Sequence, residues 1–194
     1  MTLHHETPAH DASAHIEWMM QALSEATQAL DDGEAPIGCV LIDGDGVVIG
    51  RGHNTMRDSG IVTAHAEMNA FAAAGDRIAP GTTVTMLSTL EPCVMCTGAA
   101  MQAGVNTIIF GLRAPADSGT GRVHPPQSPN TTAPEIIGDV GADESRALFY
   151  RWLEKHAGDG SRDEQRQFIE QLLALTQEGE LPKPIEGAEP HEHA

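Results

Sequence analysis

Basic residues are scarce in this chain: eleven Lys and Arg stand against twenty-eight Asp and Glu, for a net charge of −17. The acidity is not confined to one end, since residues 158–194 hold nine acids and three bases and the remainder still carries −11. Nothing resembles the clustered Lys and Arg that neutralise a run of phosphates, so charge argues against a nucleic-acid partner and for a small molecule. Aromatic residues make up only 4% of the chain, which leaves the core to Ala, Val, Ile, Leu and Met. Cysteine is limited to Cys39, Cys93 and Cys96, an odd number that excludes a fully paired disulfide framework. No stretch has the pattern of a signal peptide and none has eighteen consecutive apolar residues. The expectation is a cytoplasmic protein with no membrane partner. His4, His5, His10, His191 and His193 are scattered and read as solvated.

With 194 residues the chain has room for one domain with a buried core. Apolar residues Ile16, Met19, Met20, Leu23, Ala26 and Leu30 recur at three- and four-residue steps, which predicts an amphipathic helix over 13–30. Short β-rich runs at 37–42 and 47–52 flank Asp43-Gly44-Asp45-Gly46, a hairpin signal. Helix 64–74, strand 82–88, helix 94–103 and strand 107–111 then alternate, with a further strand at 135–140. Helices follow at 143–156 and 161–176, the second opened by the capping pattern Ser161-x-x-Glu164. Alternating strands and helices require crossovers, so the predicted fold is α/β, a three-layer α/β/α sandwich on a mixed five-stranded sheet. Residues 1–12 read as a flexible N-terminus, 13–157 as the main domain, and 158–194 as a C-terminal helix with an acidic tail. Residues 114–132 read as a long loop over the sheet edge or over a site.

The chemistry concentrates in His65-Ala66-Glu67 and Pro92-Cys93-Val94-Met95-Cys96. Zinc favours nitrogen and sulfur donors in a tetrahedron, and a catalytic zinc keeps its fourth position for water or hydroxide. His65, Cys93 and Cys96 supply three donors and leave that position open. The i, i+3 spacing of Cys93 and Cys96 points both sulfurs the same way on a first helical turn, and Pro92 suits the helix boundary. Glu67 is then placed to carry protons between the water, a ring nitrogen and a departing amine. A Cys-x-x-Cys pair alone also fits a redox couple or half a structural zinc site, but no fourth Cys or His stands at a matching spacing.

Four segments in order, Gly33-Glu34-Ala35-Pro36-Ile37-Gly38, Gly52-His53-Asn54, His65-Ala66-Glu67 and Glu91 to Ala99, resemble the cytidine deaminase superfamily. The likeness spans about residues 15–113 and is strongest to the branch containing cytosine deaminase, guanine deaminase and tRNA adenosine deaminase. It implies one zinc per chain, that Asn54 hydrogen-bonds the base, that Glu67 shuttles protons, and that backbone around Ala66 and Cys93 lines the pocket. It implies a homodimer too. Glu34 is placed near the site, and Asp117 and His124, in the loop that departs from the family pattern after Arg113, are candidate substrate contacts.

Together these features point to zinc-dependent hydrolytic deamination of a small nucleobase or nucleoside such as guanine, cytosine or a purine nucleoside. A tRNA adenosine deaminase is the second reading, disfavoured by Glu164, Glu170 and Glu178 beside Arg162 and Arg166 in the last helix. A zinc-binding scaffold without catalysis is the third, and an intact Glu67 argues against it. Cys39 is expected in the core, His53 to orient its turn, Met19, Met20, Met95 and Met101 to pack, and the aromatic residues of helix 143–156 to pack or to stack on a base.

Overall fold

The computed structural model describes residues 12–127, 131 and 133–177. Of the predicted N-terminus, 1–12, and C-terminal segment, 158–194, residues 1–11 and 178–194 with their five histidines lie outside the described residues. Helix α1 (Ala12–Asp31) leads to the hairpin β1 (Gly38–Asp43) and β2 (Val48–His53), and then to the short helix α2 (Met56–Ser59). There follow α3 (Ala66–Ala74), β3 (Val84–Leu90), α4 (Val94–Gln102), β4 (Thr107–Leu112), β5 (Glu135–Ile137), α5 (Ala142–Lys155) and α6 (Asp163–Gln177). Among the described residues the five strands lie in the order β2-β1-β3-β4-β5. β1 pairs antiparallel with β2 and β3, whereas β3, β4 and β5 run parallel, giving the expected mixed sheet.

Strand alternation splits the core in two. Val40, Ile42, Leu87 and Ile109 face α1, α5 and α6, while Cys39, Leu41, Met86 and Ile108 face α3 and α4. This is the three-layer sandwich, and Cys39 packs in its second layer as expected. Burial pushes the Cys39 thiol well above its ordinary value, which keeps it a neutral packing group. The C-terminal helix belongs to the same body: Ile169, Leu172 and Leu173 of α6 enter the first layer's core.

Several elements differ from expectation. On α1 the buried stripe is Trp18, Met19, Ala22, Leu23, Ala26, Ala29 and Leu30, while Ile16 and Met20 are exposed. The buried stripe thus takes in Trp18, Ala22 and Ala29, which the three- and four-residue steps do not include, and leaves out Ile16 and Met20. The last strand stops at Ile137 because Asp139 takes a left-handed φ of 68°, secured by two hydrogen bonds from Arg113 at 3.1 and 2.8 Å. Ser161 does not cap α6. It sits in a 3-10 turn, Gly160–Arg162, where Asp159 accepts its backbone N–H at 3.0 Å. On α5, Leu148, Phe149 and Trp152 are buried and Tyr150 is exposed, so three of the four named side chains pack.

Close helix-to-sheet contact sets the position of α3. A Cβ at Gly52 would lie 2.4 Å from the Ala70 nitrogen and 2.5 Å from the Ala66 oxygen, and one at Gly50 would lie 2.4 Å from the Ala70 oxygen. Backbone blocks both positions, so nothing flexible can yield. Gly52→Ala is expected to destabilise the fold by about 1–3 kcal/mol, the range for overpacking a core. Gly121→Ala, whose Cβ meets nothing within 4 Å, serves as the control. Denaturation midpoints of the two variants check this; equal midpoints would show that α3 can lift off β2 freely.

Candidate metal centre and its cavity

Two helices begin at one point. His65 is the extended residue immediately before α3, Cys93 is the extended residue immediately before α4, and Cys96 falls in the first turn of α4. The first helical bonds, Asn69 N–H to the His65 carbonyl at 3.0 Å and Thr97 N–H to the Cys93 carbonyl at 2.9 Å, fix both starts. Nδ1 of His65 lies 3.7 Å from Sγ of Cys93 and 3.6 Å from Sγ of Cys96. A tetrahedral zinc with ordinary Zn–S and Zn–N bonds separates such atoms by about 3.6 Å. The donor set therefore fits one zinc ion in spacing as well as in kind.

The electrostatics agree with a cation-binding site. The Cys93 thiol is pushed down to about 4, chiefly by the Cys96 thiol hydrogen-bonded to it and further by His65, with burial opposing. The Cys96 thiol is pushed up by the same bond, so the pair shares one proton. His65 is raised mainly by its bond to Cys93. Glu67, 3% exposed, follows His65 by two residues, and burial raises its pKa. The Ser88 hydroxyl donates to Glu67 Oε1 at 3.0 Å and holds the carboxyl in place.

A cavity of about 1020 Å³ opens on these groups. Asn54, Ala66, His65, Glu67, Cys93 and Asp117 all line it, so most of the residues singled out in the sequence converge. Asp117 is raised by burial and by the Cys93 charge. Glu34 is buried behind Asn54 and does not line the cavity, and His124 is exposed and away from it. His53 orients its turn: its carbonyl accepts from Asn69 at 2.8 Å, and its ring lies between Glu25 at 3.3 Å and Asp32 at 3.7 Å.

Sequence reasoning missed several groups. Glu91, beside the Pro92-Cys93 motif, accepts from the Ala114 backbone at 3.0 Å and the Ser118 hydroxyl at 2.6 Å, pinning the loop that delivers Asp117. Nothing but its adjacency to Pro92 signalled this. Arg57, Arg162 and Phe168 also line the cavity, the last two from beyond residue 158, where the sequence offered only a helix and a tail. Phe168 is the aromatic residue of the lining; the rings of α5 are not part of it.

The family described as the cytidine and deoxycytidylate deaminase zinc-binding region matches residues 12–112. A tRNA(Ile)-lysidine synthase of Deinococcus radiodurans is 38% identical over 134 residues, covering 68% of this chain and 23% of that protein. A tRNA-specific adenosine deaminase of Streptococcus pyogenes is 42% identical over 96 residues, covering 48% of this chain and 60% of that protein. The chain thus spans less than two thirds of either curated relative. A solved structure from work on A-to-I editing by tRNA:A34 deaminases at the wobble position of transfer RNA superposes with a TM-score of 0.60. It is 32% identical and covers 68% of this chain and 98% of that one.

These relatives overturn the expectation against a nucleic-acid partner, because one is a tRNA-specific adenosine deaminase and another comes from work on tRNA:A34 deaminases. A net charge is a sum over the whole surface and does not by itself bar a polyanion, which meets a local field. The cavity lining holds Arg57 and Arg162 beside Glu67, Glu91, Asp117, Asp163 and Glu164, so it is the relatives, not the local charge, that overturn the expectation.

Zinc binding to the metal-free protein is expected to release roughly one to two protons, from Cys96 and from His65, both of which are raised before the ion arrives. Affinity then falls as pH is lowered, since the proton competes for the same lone pairs. A zinc titration in weak buffer with a pH indicator checks the count; no proton release would show that the triad does not receive the ion. The fit of the donors to zinc and the match over just over half its length make this chain a member of the cytidine and deoxycytidylate deaminase zinc-binding family.

Proposed function

We propose that the chain is a zinc-dependent hydrolase that converts adenosine to inosine within tRNA. The support is the 42% identity to a tRNA-specific adenosine deaminase across 96 residues, joined to a cavity that holds His65, Glu67, Cys93 and Asn54 together. The cavity, about 1020 Å³, is at the upper end of the roughly 300–1,000 Å³ usual for small-molecule sites and leaves space beyond a single nucleoside. Arg57, exposed on α2, offers a cation to a backbone phosphate there. A tRNA substrate also suits the cytoplasm, where unpaired Cys39, Cys93 and Cys96 stay reduced. The family resemblance implies a homodimer; Ile61 and Val94 are exposed apolar side chains, and so is Val62, which also lines the cavity.

The reaction is a hydrolysis: one water adds its oxygen to C6 of the adenine ring, the C6–N bond breaks, and ammonia leaves. His65, Cys93 and Cys96 would hold the zinc, and the bound ion would supply a Lewis acid that makes water a nucleophile near neutral pH. Glu67 takes a proton from the attacking water and delivers one to ring N1. It then moves the second proton, from the hydroxyl now on C6, to the leaving amine, and a carboxyl whose pKa is raised by burial is suited to both directions. Ser88 keeps that carboxyl aimed. Asn54 and the backbone at Ala66 hold the base, and Asp117 faces them from the loop pinned by Glu91.

Incubation of the zinc-loaded protein with an anticodon stem-loop bearing adenosine at the wobble position is expected to yield inosine. Glu67→Ala should keep its zinc and lose about 10²-fold to 10⁴-fold in rate. Ammonia release from free bases or nucleosides with none from the stem-loop would refute the tRNA reading. Binding of the stem-loop should weaken with salt, and Arg57→Ala should reduce the slope of log affinity against log salt by roughly one. An unchanged slope would remove Arg57 from the phosphate contact.

A further inference from the structure

Asn54 and Glu34 form a buried pair whose two members differ in what they can reach. Asn54 is 3% exposed and lines the cavity, while Glu34 is 1% exposed and does not. Nδ2 of Asn54 donates to Glu34 Oε2 at 3.2 Å, and the Asp58 backbone N–H donates to Glu34 Oε1 at 2.7 Å. The backbone N–H of Asn54 is committed as well, to the Ile37 carbonyl at 3.0 Å. A side-chain amide can turn over and exchange its oxygen for its nitrogen at little steric cost, so its partners decide which end faces where. A carboxylate only accepts. With both oxygens of Glu34 engaged by N–H donors, the nitrogen end of Asn54 is the end that must meet it.

We propose that Glu34 is a positioning residue that sets the hydrogen-bonding polarity of the cavity by pinning Nδ2 of Asn54, leaving Oδ1 and one N–H for the ligand. The complementary ligand feature is a donor beside an acceptor, as on a ribose hydroxyl or one edge of a nucleobase. This rests on the proposed contact between Asn54 and the nucleoside. It gives Glu34 a role in recognition without contact, which distinguishes it from a residue that merely ties down the turn at Asp58.

Glu34→Gln tests the distinction with a side chain of the same size. The Asp58 N–H cannot reverse, so the new amide turns its oxygen to Asp58 and its NH2 towards Asn54. The Asn54 amide then turns over and shows the cavity the opposite polarity. The expected loss in kcat/KM is about tenfold to hundredfold, the consequence of mispairing a buried polar group. Because the effect passes through Asn54, Glu34→Gln in an Asn54→Ala background should cost less than about twofold more. The same loss with and without Asn54 would mean that Glu34 acts by another route and would overturn the proposal.

A second readout needs no substrate. In protein labelled with ¹⁵N-asparagine, Glu34→Gln should move the Asn54 side-chain amide resonances. Those of Asn69, which donate to the His53 carbonyl, Thr55 Oγ1 and the Ala64 carbonyl, should stay in place. Unmoved Asn54 resonances would overturn the pairing. If Glu34→Gln alone fails to fold, its combination with Asn54→Asp, which again sets a donor against an acceptor, should fold; failure of both counts against the proposal. Absence of inosine from the unaltered protein would refute the proposed function, and the resonances would still decide the role of Glu34.

Discussion

The site depends on two helices starting at the same place. His65 precedes α3 and Cys93 precedes α4, and the three donor atoms meet only if both helices lie flat on one face of the sheet at fixed depth. Gly50 and Gly52 supply that depth on the α3 side, where backbone touches backbone. Ala66, Ala70 and Ala100 extend the same economy across the second core layer, which is built largely of small side chains. A chain with few aromatic residues can bring helix axes close to strands, and proximity here substitutes for bulk.

Convergence of the two starts also accounts for the electrostatics. The Cys96 thiol hydrogen-bonded to Cys93, helped by His65 and by the Cys96 backbone on the first turn of α4, favours a thiolate at Cys93 in a half-buried setting that would otherwise oppose it. Glu67 experiences burial more strongly and is pushed the other way, towards holding a proton. Two acidic groups in one small volume are thus pushed in opposite directions, Cys93 towards the thiolate that a metal ligand needs and Glu67 towards holding the proton that it would carry. A third acid, Asp117, is raised alongside Glu67, by burial and by the Cys93 charge.

Local patterns made the Cys93–Cys96 pair, the His65–Glu67 pair and most of the elements readable, because each depends on residues a few positions apart. That the two pairs meet, across 28 and 31 residues, was expected from zinc's choice of donors and from the family resemblance, not from spacing. Other long-range contacts carried no such signal. Glu34 is placed near the site by its motif, but its partners Asn54 and Asp58, 20 and 24 residues away, are not named by it. Glu91 finds Ala114 and Ser118 across 23 and 27 residues. Ile16 and Met20 failed for a different reason: periodicity identifies an apolar face but not how much of it the neighbouring layer covers.

The C-terminal helix shows how far a site can extend beyond the pattern that reveals it. The family match ends at residue 112, yet Arg162 and Phe168 line the same cavity as Glu67. Arg162 is tied to the Gly33 carbonyl and to Asp159 at 3.2 Å, so the turn before α6 is fastened to the segment that carries Glu34. Ile169, Leu172 and Leu173 anchor the rest of the helix in the core formed with α1 and α5. The matched region therefore holds the metal donors and the proton carrier, while one wall around them comes from sequence outside it. Two chains that share the first can differ in the second, and the shape offered to a ligand at Glu67 follows from that wall as well as from the triad.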